Sequence, residues 1–201
     1  MGLSALPIVL IFLLIFLTWQ TIYSANRDLV RAKAWGDLAR RTLPFGALAL
    51  MALSLFLVQQ YRQGWVMITW MAVSGILIVL ASLFSVPAVE RRANRAFRQR
   101  DYQKAAELYG ELAEVKPLAR NHAFVGAALG ASERYEESVE ASTKAIKDDP
   151  KYGLAYYNRA LVLLRMGKKS RAMNDLRKAL EADLPRRFRN ASRKMLEEET
   201  A

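Results

Sequence analysis

Apolar residues run almost unbroken from Leu3 to Ile22, from Leu43 to Val58 and from Trp65 to Val86. No charged side chain occurs in Met1–Asn26, Thr42–Tyr61 or Gln63–Val89. Runs of about 20 apolar residues are long enough to cross roughly 30 Å of hydrocarbon as helices. The pattern therefore predicts three spans over about 3–22, 42–60 and 65–86; the second reaches full length only if Thr42 and Gln59-Gln60 are drawn in. A cleaved secretion signal is the rival reading of the first run. It needs a basic segment ahead of the run and small residues at the cleavage site, whereas nothing basic precedes Leu3 and Tyr23-Ser24-Ala25 carries a bulky residue. A retained helix is expected.

The polar stretches between these runs assign sides. Asn26–Arg41 holds Arg27, Arg31, Lys33, Arg40 and Arg41 against Asp28 and Asp37. Leu29, Ala32, Trp35 and Leu38 recur at near-helical spacing, so the 26–41 loop reads as a basic, amphipathic segment at the membrane surface. The turn Gln59–Gly64 holds only Arg62, whereas Arg91, Arg92, Arg95, Arg98 and Arg100 follow the third run. Positive charge accumulates on the cytoplasmic side. An integral protein of the inner or plasma membrane is expected, with its amino terminus and hairpin turn outside and its polar carboxy-terminal half in the cytoplasm. Trp19, Tyr23, Tyr61, Trp65 and Trp70 suit interfacial belts.

Ser85-Val86-Pro87 marks the domain boundary, since proline disfavours helix at the preceding residue and starts a new helix well. The predicted domains are 1–86 and 87–201. In the second, the pattern changes to helical periodicity and repeats itself. A shift of about 34 residues sets Gly126 on Ala160, Ser138 on Ala172 and Ala145 on Ala179, and brings Pro150 next to Pro185. Such a period marks a stacked array of helix pairs. The expected pairs are 88–99 with 101–115, 119–132 with 135–148, and 153–166 with 169–182. Phe188, Ala191, Met195 and Leu196 fall on one side of a last helix, about 185–198, which would cap the apolar end of the array. The fold class is all-α: a three-helix transmembrane region, then an α-solenoid of about three pairs with a capping helix.

This half resembles the tetratricopeptide repeat (TPR) family. The residues that carry the likeness are Tyr156, Ala160, Leu163, Ala172, Leu176 and Ala179 in one unit and Gly126, Leu129, Tyr135, Ser138, Ala145 and Pro150 in the one before it. A weaker unit carries Ala93, Ala96, Tyr102, Ala105, Tyr109, Leu112 and Pro117. His122 stands where tryptophan is usual, Arg159 where the family is usually apolar, and Pro185 is one place late. The resemblance implies a concave surface lined by the first helix of each pair, at Glu90, Asn94, Phe97 and Arg98, then Arg120, Ala123 and Ala127, then Tyr157, Leu161, Leu164 and Arg165. Asn94, Arg98, Arg120, Tyr157 and Arg165 are the candidate partner-binding residues. The family's two-carboxylate clamp for heat-shock chaperone tails needs five Lys, Asn and Arg positions. Here they read Glu90, Asn94, Phe124, Leu154 and Asn158, a single match, so that specificity is not expected.

Composition narrows the chemistry further. The formal charge is +11, with 30 Lys and Arg, 19 Asp and Glu, one histidine and no cysteine. Thiolate metal sites, disulfides and thiol catalysis are excluded. A lone histidine, His122, reads as a packed residue rather than a base or metal ligand. Glu136, Glu137 and Glu140 form a solvated face, and no phosphate loop or nucleophile elbow is present. No catalytic, cofactor-binding or metal site is expected. The basic residues are interleaved with acids, and the Arg91–Arg100 cluster adjoins the membrane, so lipid is a nearer partner than nucleic acid. The expected function is a membrane-anchored scaffold that tethers a protein partner or helps to assemble a membrane complex. The alternative is an accessory subunit whose spans pack into a larger membrane enzyme or transporter.

Overall fold

The computed structural model describes residues 5–58, 60 and 63–200, and every regular element among them is a helix. The chain forms two compact units, one ending at Pro87 and the other beginning at Ala88.

The first unit holds α1 (Ala5–Ala25), α2 (Arg27–Arg31), α3 (Trp35–Val58) and α4 (Gly64–Phe84). The 21 residues of α1 include no charge; Leu3 and Ser4 of the expected first run lie outside the described residues, as do Gln59, Tyr61 and Arg62 of the hairpin turn. Asn26 ends α1 by donating from Nδ2 to the Ile22 carbonyl at 2.9 Å. Lys33 takes φ of 53° in the turn that follows α2. The expected loop over 26–41 is mostly helical, because Leu38, Ala39, Arg40 and Arg41 favour helix and outweigh Gly36 in the first turn. Consequently α3 begins seven residues earlier than the apolar pattern indicates, and Pro44 sits inside it rather than in its first turn. Within the α3–α4 hairpin, Trp70 donates from Nε1 to Ser54 Oγ at 3.0 Å. Two segments of the described chain, Trp35–Leu55 and Gly64–Phe84, are long and apolar enough to cross a membrane by length and composition. Their side chains face outward: Leu53 is 67% exposed and Ile68 70%.

The second unit comprises α5 (Ala88–Arg98), α6 (Tyr102–Val115), α7 (Ala119–Ala131), α8 (Tyr135–Asp148), α9 (Gly153–Arg165), α10 (Lys169–Glu181) and α11 (Arg186–Thr200). Three turns within pairs are built alike. Asp101, Arg134 and Lys168 donate backbone N–H to the carbonyls of Ala96, Leu129 and Leu163 at 3.0, 3.0 and 2.8 Å, five residues back in each case. That wrap needs one left-handed residue, supplied by Arg100, Glu133 and Gly167 with φ of 63°, 65° and 74°. Glycine fills this position only once, so the other two turns hold a conformation that disfavours a side chain.

The pairs cross on small residues. Ala93, Ala105, Ala128, Ala145, Ala160, Ala172 and Ala179 are wholly buried. Ser138 donates to the Gly126 carbonyl at 2.6 Å across the α7–α8 crossing. A Cβ on Gly126 would overlap Ser142 Oγ, and one on Gly130 would lie 2.6 Å from Val162. Arg159, unusual at its position, is neutralised locally: Nε and Nη2 donate to the two oxygens of buried Asp175 at 2.7 and 2.8 Å, and Nη1 donates to Thr143 at 2.9 Å. At the far end, Phe188, Met195 and Leu196 of α11 cover Tyr157, Leu163 and Leu176. Arg189 ties α11 to the preceding turn through the carbonyls of Leu184 and Ala182.

Glycine-to-alanine changes should rank by what the new methyl meets. At Gly153 it meets backbone, 2.6 Å from Leu184 N and 3.0 Å from Ala179 O. At Gly126 its hardest contact is a rotatable hydroxyl. Overpacking costs about 1–3 kcal/mol, against which alanine regains about 1 kcal/mol of helix propensity. Gly153→Ala is therefore expected to lower the urea midpoint clearly and Gly126→Ala only slightly, with Gly126→Ala/Ser142→Ala recovering the small loss.

Candidate functional site

A cavity of about 450 Å³ opens among the first helices of the three pairs. Its walls come from Asn94 and Phe97 of α5, Phe124, Ala127 and Gly130 of α7, and Leu154, Tyr157, Asn158, Leu161 and Arg165 of α9. Tyr109 of α6 and Arg187 and Phe188 of α11 complete it. These helices converge because each pair is offset from the last by the same small rotation, which turns corresponding faces to one side.

Aromatic contacts shape the wall. Tyr109 packs against Phe124 with centroids 5.3 Å apart, and Tyr157 against Phe188 at 4.9 Å. The Tyr109 hydroxyl donates to Asn94 Oδ1 at 2.7 Å, which leaves the Asn94 amide N–H groups as donors. Burial, with the nearby Glu90 carboxylate adding to it and Arg98 opposing, pushes the Tyr109 phenol up to about 12. It therefore keeps its proton and its donor role throughout the working range. Burial also raises the Tyr157 phenol. Asn158 spends its amide on the α7 backbone, donating to the Ala123 carbonyl at 3.0 Å, and so locks neighbouring repeats together.

No lining residue carries negative charge, whereas Arg165 and Arg187 are both exposed at the cavity. Arg187 lies 4.5 Å from the Phe188 ring centroid, holding its guanidinium over the aromatic edge of the wall. An apolar floor with amide donors and a cationic rim can seat an apolar side chain and orient a neighbouring carboxylate or backbone carbonyl. Among the described residues there is no group of three or more His, Cys, Asp or Glu able to hold a metal ion.

Of the five candidate residues, Asn94, Tyr157 and Arg165 come together on this cavity. Arg98 is exposed on α5 but does not line it, and Arg120 is buried at the start of α7 with 7% of its surface exposed. The resemblance implies a concave-face position for Arg120, whereas α7 turns that side chain into the protein. Sequence reasoning missed Arg187 and Phe188. The available signal was Pro185, since proline starts a helix well: α11 opens at Arg186, and Phe188 in its first turn packs against Tyr157 of α9. Tyr157, expected as a ligand-facing side chain, is only 8% exposed and belongs equally to the core beneath α11.

His122 lies outside the cavity, buried in α7, with Nε2 3.5 Å from Asp148 Oδ2 and no hydrogen-bond partner. Burial, reinforced by Lys144 and opposed by Asp148, lowers its pKa from the ordinary 6.5.

The tetratricopeptide repeat family model matches residues 141–174, the stretch from the second half of α8 into α10. A TPR repeat-containing thioredoxin of Arabidopsis thaliana, TTL4, is 30% identical over 119 residues, 58% of this chain and 17% of the plant protein. A DnaJ homolog subfamily C member 7 homolog of Dictyostelium discoideum is 29% identical over 111 residues, 53% of this chain and 21% of that one. This chain thus spans about a fifth of the length of these relatives. Among solved structures, the TPR2B domain of yeast Sti1, in its pHsp70 complex, matches with a TM-score of 0.50 over 54% of this chain and 90% of that one, at 21% identity. At that identity the likeness is one of fold.

The buried imidazole makes stability depend on pH. Below 6.5 the unfolded chain takes a proton that folded His122 resists, so stability falls as pH drops from 6.5 toward the lowered folded value. The thermal midpoint of the repeat unit is expected to decline between pH 7 and 5. In His122→Gln, which cannot titrate, that part of the decline should vanish; an unchanged slope would locate it elsewhere.

Proposed function

The carboxy-terminal half of this chain is a tetratricopeptide repeat domain, and from that premise we propose that the protein is a membrane-anchored scaffold whose concave cavity binds a protein partner. The observation that carries this reading is the juxtaposition within one chain of an apolar, carboxylate-free cavity and helices long and apolar enough to span a bilayer. The reading has α1, α3 and α4 as three crossings, the amino terminus outside and the repeats in the cytoplasm, in keeping with the placement of basic residues. Tethering raises the partner's effective concentration at the membrane and favours assembly of a membrane complex without chemistry by the scaffold itself. The apolar floor, the Asn94 amide donors and the concave shape of the cavity suit a peptide segment, rather than a folded surface, as the bound element. Departure from the clamp positions, where Glu90, Phe124 and Leu154 stand, argues for a different sequence in the peptide. The accessory-subunit alternative makes the spans the working part.

Rim charge reversal separates these readings. Arg165→Glu/Arg187→Glu should weaken partner capture about tenfold or more, with far-ultraviolet dichroism unchanged because both side chains are exposed. A fragment beginning at Pro87 should still capture the same partner. Capture by the intact membrane form alone, indifferent to the two reversals, would favour the accessory-subunit reading.

A further inference from the structure

Helix α5 sorts its charge by face. Glu90, its single carboxylate, is buried together with Ala93 and Ala96. Arg91, Arg92, Arg95 and Arg98 are all exposed. At about 100° per residue these four occupy an arc of about 120° that contains no acid. Arg92 and Arg95 have no carboxylate partner among the described residues. Elsewhere in this unit Arg134 pairs with Glu137, Arg159 with Asp175 and Lys194 with Glu198. The first helix of this unit thus carries an acid-free, exposed arginine face.

Chain connectivity states what such a face can reach, whatever the arrangement of the two units. Three residues, Ser85, Val86 and Pro87, join Phe84 at the end of α4 to Ala88 at the start of α5, at most about 14 Å from Cα to Cα when fully extended. The helical rise to Arg92 adds about 6 Å. If α4 spans the bilayer, as the proposed function has it, Arg92 stays within about 20 Å of the hydrocarbon edge. The headgroup layer itself occupies roughly 5–7 Å of that distance, and the screening length is about 8 Å at physiological salt. The geometry points to the Arg92–Arg95–Arg98 face of α5 as a docking surface for anionic phospholipid headgroups, which would set the orientation of the repeat domain on the membrane. Lysines or arginines there need no shaped pocket, since attraction to an anionic leaflet depends on charge density and distance. The inference rests on the membrane reading and adds to it a preference among lipids.

The chain lacks cysteine, so Gln99→Cys places a single fluorophore at the edge of this face. The labelled full-length protein is reconstituted into nanodiscs of phosphatidylcholine alone or with phosphatidylserine, and energy transfer to a headgroup-labelled lipid is read. Transfer should rise with phosphatidylserine and fall back as salt is raised. Each arginine near an anionic surface is worth about a fivefold shift in the docked equilibrium, so Arg92→Gln/Arg95→Gln should lose roughly thirtyfold. Arg92→Lys/Arg95→Lys should keep most of the effect, and helicity should not change in either variant. Incorporation into discs with transfer indifferent to lipid composition would overturn the docking surface alone. Failure to incorporate into discs of either composition would overturn the membrane reading and the docking surface with it. Arginine-dependent binding of a short RNA, with no response to phosphatidylserine, would reassign the face to nucleic acid.

Discussion

Close approach of paired backbones is the constraint on which the repeat array depends. Where α7 meets α8, a methyl group on Gly126 would have to displace the Ser142 hydroxyl, and the Ser138 hydroxyl bonds directly to the Gly126 carbonyl. The equivalent crossing of α9 with α10 uses Ala160 and Ala172, both wholly buried. Small residues at these points allow the short interaxial distance that brings larger side chains, Tyr109, Leu129, Leu163 and Leu176, into contact farther along the helices. Successive pairs stack with a small relative rotation. The cavity follows from that rotation, because it turns Phe124, Tyr157 and Leu161 toward one space.

The cavity in turn divides its polar groups between structure and recognition. Asn158 and the Tyr109 hydroxyl are spent on the protein itself, one joining repeats and the other holding Asn94. Arg165 and Arg187 stay at the rim. A partner that fills the apolar floor recovers hydrophobic burial, while the rim selects among partners by charge. The α11 helix has a double role, since Phe188 both seals the last pair beneath it and contributes wall area beside Tyr157.

Much of this was legible in residue spacing. The small-residue echo at Gly126 and Ala160 located the crossings, and the six repeat helices fall within a residue of their expected limits. Three features were not legible, each for a physical reason. The start of α3 was hidden because helix propensity in Leu38–Arg41 carries the helix through a charged stretch that an apolar pattern ends, and through Pro44. The left-handed turns at Arg100 and Glu133 lack the glycine that usually announces them. The burial of Arg120 and the arrival of Arg187 at the cavity depend on how turns at Pro117 and Pro185 aim the following helix, which no periodicity encodes. Arg159 is the converse case: an apparent flaw in the apolar pattern is matched by Asp175, sixteen residues away and on the facing helix.

The claim that the concave cavity holds the partner is tested most directly by site-specific photo-crosslinking of the full chain in its own membranes. p-Benzoylphenylalanine is placed in turn at Phe124 in the cavity wall, at Val115, which is 79% exposed and does not line the cavity, and at Leu50, which is 66% exposed on α3. The expected result is a crosslink from Phe124 to one short segment of one partner chain, and none to that chain from Val115 or Leu50. A partner captured from Leu50 and not from Phe124 would contradict the cavity as the binding site and place recognition in the apolar helices.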